Sequence, residues 1–142
     1  MPVHYLTDDR AQLLAYRFSA AISCAEVVDA IVETAAEAKR GVSYCFLLVF
    51  DPSTDLTPLE DEDMDRIAAT MNSAQDKTGF ARGTGAVVVD DTLEAETVKP
   101  LWKAICDSDT HAQMHYRFFI DIGPALAWLD VAESDDLMTL LD

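Results

Sequence analysis

The longest unbroken apolar run, Tyr44-Cys45-Phe46-Leu47-Leu48-Val49-Phe50, shows no alternation of apolar and polar positions. Seven such residues suit a β-strand covered on both faces, as in a parallel sheet between helix layers. After it, Thr57-Pro58-Leu59-Glu60 has the spacing of a capping box, with Pro at the first helical position, where its missing N–H costs nothing. A helix is predicted from Pro58, with Met64, Ile67, Ala68 and Met71 as its apolar stripe and Gly79 as its stop. The acidic residues of its first turn suit a helix N-terminus. Strand, loop and helix start thus meet at one sheet edge, where a functional site is expected.

Upstream, residues 3–7 and 11–19 read as two strands around an Asp8-Asp9-Arg10 turn, with Leu14, Tyr16 and Phe18 on one face and Leu13, Ala15 and Arg17 on the other. Ser23-Cys24-Ala25-Glu26 is a second capping box, and Val27, Val28, Ile31, Val32 and Ala35 trace one buried helical face that Lys39, Arg40 and Gly41 close. Downstream, Gly79, Gly83 and Gly85 mark a loop before a short buried strand at 86–89. Val98, Leu101, Trp102 and Ile105 have helical spacing around Pro100, which either follows the helix start near Val98 or kinks a longer helix. Residues 114–120 form a last strand, and Asp121 opens a short helix bearing Ile122, Ala125, Leu126 and Leu129. The resulting order, β-β-α-β-α-β-α-β-α, predicts an α/β fold: a mixed, mainly parallel five-stranded sheet flanked by four helices. The domain proper occupies 1–130. Residues 131–142 are expected to form a tail or short helix whose Leu137, Met138, Leu140 and Leu141 pack on the same domain or on a homodimer partner.

Composition narrows the functional classes. A chain of 142 residues is expected to be one domain with an ordinary core. With 10 basic residues against 26 acidic ones, the net charge is −16, which repels nucleic acid and anionic membrane surfaces and suits simple solubility, a salty cytoplasm or a basic protein partner. No apolar run reaches membrane-spanning length and no charged-then-apolar leader opens the sequence, so a cytoplasmic location is expected. Cys24, Cys45 and Cys106 are odd in number and widely spaced, and read as buried reduced thiols.

Candidate chemistries are few. Asp51, Asp55 and the acidic run Glu60, Asp61, Glu62, Asp63, Asp65 carry oxygen ligands but lack the spacing of a calcium loop. Cys106, His111 and His115 lack the fourth close-spaced ligand of a zinc set. The glycines precede a strand, whereas phosphate-cradling loops lead into a helix. No nucleophile motif occurs, and no metal or cofactor is implied. Trp102, Phe119 and Trp128 are candidates either for core or for the lining of a pocket between sheet and helices that would take an apolar small molecule or lipid.

Two stretches, Asp55-Leu56-Thr57-Pro58-Leu59-Glu60-Asp61 and Arg117-Phe118-Phe119-Ile120-Asp121-Ile122 leading into Ala125-Leu126-Ala127-Trp128-Leu129, resemble fold markers of the small bacterial STAS-like (SpoIIAA-like) proteins. Together with the element order, the resemblance covers about residues 3–130. It implies a non-catalytic regulatory or protein–protein interaction module, without enzymatic activity. In the anti-sigma-factor antagonists of that fold, a Ser at the start of the second helix is phosphorylated and switches partner binding. The matching region here offers Ser53, Thr54 and Thr57 without the Gly of the family motif, and a phosphate there would meet Asp55, Glu60, Asp61 and Asp63. The interaction surface expected from these residues is therefore the loop and helix start 51–65, with Asp51, Ser53, Thr54, Asp55, Thr57, Glu60, Asp61 and Asp63 as its members.

Overall fold

The computed structural model describes residues 2–39, 42, 44–78, 81–90, 95–106 and 115–141. Strands β1 (Val3–Asp8) and β2 (Leu13–Phe18) form the opening hairpin. Asp8 turns it, its Oδ1 accepting from the amides of Arg10 and Ala11 at 3.0 Å each. Helix α1 (Cys24–Glu37), strand β3 (Tyr44–Phe50), helix α2 (Asp61–Thr78), strand β4 (Ala81–Val89), helix α3 (Ala95–Cys106), strand β5 (His115–Phe119), helix α4 (Ile122–Leu129) and helix α5 (Asp135–Leu141) complete the order.

The sheet has five strands in sequence order, antiparallel between β1 and β2 and parallel thereafter. Because each parallel strand is laid beside the last in the same direction, right-handed crossovers carry α1, α2 and α3 over one sheet face. Tyr16, Phe18, Phe46, Leu48, Phe50 and Val87 meet Val27, Ile31, Ile67, Met71, Val98 and Trp102 there. On the other face, Leu13, Ala15, Leu47, Ala86 and Val88 meet Ala125, Leu126 and Leu137 of α4 and α5. Each central strand buries both faces, as the unbroken run at 44–50 requires. The tail therefore forms a fifth helix on its own sheet, where four were expected.

Several local expectations are corrected. Ser23 does cap α1, its Oγ accepting from Glu26 N at 3.3 Å and donating to Glu26 Oε1 at 2.8 Å. The helix stops earlier than the basic turn: Ala38 is extended, and Lys39 N donates to Tyr44 Oη at 2.9 Å. Arg40, Gly41 and Gly79, expected as stops, lie outside the described residues. Val32 is 54 % exposed, and Thr34 is buried in its place. Helix α2 begins at Asp61, three residues after Pro58, because Asp63 Oδ2 accepts from Glu60 N at 2.9 Å and so caps the helix one turn later. The glycine segment belongs to β4, whose pairing with β3 is irregular between Tyr44 and Phe46. Pro100 sits inside α3.

Candidate functional site

The 51–65 loop leaves the C-terminal end of β3 and is stitched to the connection between β2 and α1. Ala21 and Asp55 form a parallel β-bridge, with Asp55 N donating to Ala20 O at 2.8 Å and Ile22 N donating to Asp55 O at 3.0 Å. Ala20 takes a left-handed conformation (φ 55°) to allow this, an uncommon state for a residue with a Cβ. Asp51 N donates to Phe18 O at 2.9 Å. Two loops that follow parallel neighbours in the sheet thus hold each other.

The side chains sort into internal fasteners and exposed carboxylates. Asp51 Oδ1 accepts from Ser53 N at 3.0 Å and Ser53 Oγ at 2.7 Å, while Oδ2 accepts from Arg17 Nη2 at 3.2 Å. The Ser53 bonds first, and then the Arg17 guanidinium, hold the Asp51 carboxyl below its ordinary range. Ser53 Oγ also accepts from Ala20 N at 3.1 Å. Thr54 is only 6 % exposed, its hydroxyl shared between Phe18 O at 3.0 Å and Asp51 O at 2.6 Å. The Thr57 hydroxyl and amide both donate to Asp55 Oδ1, lowering the Asp55 pKa. Thr57, expected as the cap of α2, is thus committed to Asp55. Asp55, Glu60, Asp61, Glu62 and Asp65 are exposed, and no basic residue occurs between 51 and 65.

The predicted pocket residues do not converge. Trp102 is 3 % exposed under α3, its ring centroid 4.5 Å from that of Tyr116 and 5.0 Å from that of Phe118. Phe119 points to the opposite sheet face, packing on Trp128 at 5.8 Å, since successive strand residues alternate sides. The three therefore line no common cavity. The ring that joins Trp102 is Phe118, 41 % exposed on β5. These aromatics bound a surface groove of about 640 Å³ lined by Glu96, Lys99, Trp102, Lys103, Tyr116 and Phe118. A second groove, about 510 Å³, runs between α1 and α2 beside Val32, Ala36, Arg66, Ala69 and Ser73.

Cys24 and Cys45 are free thiols, and burial, joined at Cys24 by the Asp63 carboxylate, pushes both above the ordinary thiol range. Of the zinc candidates, His115 is exposed on β5 and Cys106 ends α3, while His111 lies outside the described residues. Among the described residues no three His, Cys, Asp or Glu side chains are grouped to hold a metal, and no helix is long and apolar enough to cross a membrane. No protein-family model matches the chain, and no similar curated protein or solved structure was found.

Proposed function

We propose that the chain is a non-catalytic, STAS-like regulatory module that docks a basic protein partner on the 51–65 loop and the start of α2. The observation that carries this reading is the division of labour in the loop. Asp51, Ser53, Thr54 and the Thr57–Asp55 pair are spent on internal hydrogen bonds that fix the backbone, whereas Glu60, Asp61, Glu62 and Asp65 face solvent. A fixed backbone presenting unneutralised carboxylates limits the ordering cost of binding and steers a cationic partner.

The experiment is affinity capture from the protein's own source, wild type against Asp61→Lys/Asp65→Lys. Both substituted positions are exposed, and the capping carboxylate of Asp63 is left intact. The reading expects a defined basic protein retained by the wild type and lost by the variant, with only a small fall in thermal stability from the reversed charge in the first turn of α2. Identical capture by both proteins overturns it. A carrier of an apolar ligand is the weaker account, because Trp102 lies on one sheet face and Phe119 and Trp128 on the other.

A further inference from the structure

We propose that the groove between α3 and edge strand β5 is a binding site for a small planar aromatic anion, such as an aryl carboxylate. The groove's volume of about 640 Å³ falls within the range of small-molecule sites, roughly 300–1,000 Å³. Its wall is aromatic: Trp102 is held rigid by burial, and Tyr116 and the part-exposed Phe118 stand beside it at 4.5 and 5.0 Å. Offset or edge-on packing of a ligand ring against such a wall adds to simple area burial. The Trp102 indole Nε1–H is buried without an acceptor among the described residues.

Charge selects the class of ligand. The chain has four lysines in a net charge of −16, and two of them, Lys99 and Lys103, line this groove. They are four residues apart on α3, so their ammonium groups share one face and repel each other. Lys99 is only loosely occupied by Glu96, at 3.8 Å in an exposed contact, and Lys103 has no ion-pair partner among the described residues. An anion seated between them relieves the repulsion and accepts charge-assisted hydrogen bonds while its ring covers Phe118. These residues are separate from the acidic loop, so the inference stands independently of the docking reading.

The chain's two tryptophans lie on opposite sheet faces, so their indole N–H resonances provide a reporter and an internal control. Full-length ¹⁵N-labelled protein is titrated with 2-naphthoate and, separately, with uncharged 2-naphthylmethanol at one ionic strength, with Trp128→Phe assigning the signals. A saturable shift of the Trp102 signal alone is expected with naphthoate. The affinity should fall about tenfold for the alcohol, and again for naphthoate binding to Lys99→Ala/Lys103→Ala. Should that variant lose its dispersed spectrum, Lys103→Gln is titrated in its place. Absence of a saturable shift, equal shifts at both indoles, or affinities indifferent to ligand charge or to the lysines each overturn the proposal.

Discussion

Arg17 on β2 donates through Nη2 to Asp51 Oδ2 at 3.2 Å, tying the end of one parallel strand to the loop that follows its neighbour. Asp51 also anchors Ser53, so one carboxylate fixes both sides of the junction. Replacing it with Ala strands the Ser53 amide and the guanidinium together, and should cost about 1–2 kcal/mol in chemical unfolding. The pH dependence has a definite sign. The folded-state pKa of Asp51 lies below its unfolded value, so its contribution is complete above about pH 4 and fades as pH falls through the folded value. The gap in urea midpoint between wild type and Asp51→Asn should therefore be wider at pH 7 than at pH 3. An equal gap at both would mean that the ionised form contributes nothing.

Phosphorylation at the loop should act as a disruptor of the clasp. The Thr54 hydroxyl is enclosed and bonded to two carbonyls, so a kinase can reach it only after local opening. Ser53 is exposed, yet its Oγ accepts from Ala20 N and donates to Asp51, and a charged group there faces the Asp51 carboxylate. Ser53→Glu should lower stability by about 1–2 kcal/mol, and Thr54→Val by a similar amount through the lost carbonyl bonds. Intact-mass measurement of protein from its own source supplies the complementary check, with no phosphate expected on Thr54.

Within the α1 face of the core, the Tyr16 hydroxyl lies 2.5 Å from Thr34 Oγ1, and Thr34 in turn donates to the carbonyl of Ala30 or Ile31. Removing one hydroxyl from this enclosed chain withdraws a partner from the other. Thr34→Val and Tyr16→Phe should each cost about 1–3 kcal/mol, and the double variant less than their sum. A double-mutant cycle in urea measures that coupling, and strict additivity would show the contact to be energetically idle.

The same pair shows how far the sequence could be read. Val27, Ile31 and Thr34 share one helical face, but a hydroxyl on an apolar stripe carries no sign of burial until Tyr16, 18 residues away, is placed beside it. Val32 is apolar yet lies off the packed face of α1, so apolarity alone does not report its burial. At α2, the local signal from Thr57 to Glu60 is the stronger one, yet the helix starts at Asp61 with Asp63 reaching back to Glu60 N. The bridge between Ala21 and Asp55 holds the carboxylate that captures Thr57, and only tertiary structure shows it. The run at 44–50 was legible because no alternation survives when both faces are covered. Pairing Trp102 with Phe119 failed on strand parity: Tyr116 and Phe118 share the side to which α3 crosses, and Phe119 takes the other.

Pro100 occupies an exposed position inside α3, with buried Val98 and Leu101 on either side. The proline has no N–H to donate to Glu96 O, and its ring crowds that carbonyl. The helix persists because Val98, Leu101, Trp102 and Ile105 bury one face against the sheet, and packing outweighs local propensity. Since the ring itself faces solvent, Pro100→Ala restores the backbone donor without opening a cavity. It should raise unfolding stability by about 1–3 kcal/mol, the scale of proline's penalty in a helix interior. The measurement is a urea titration with matched hydrogen exchange at residues 96–104. The stabilisation should appear as slower exchange across that helix, whereas an unchanged midpoint would mean that the first turns of α3 already accommodate the proline without strain.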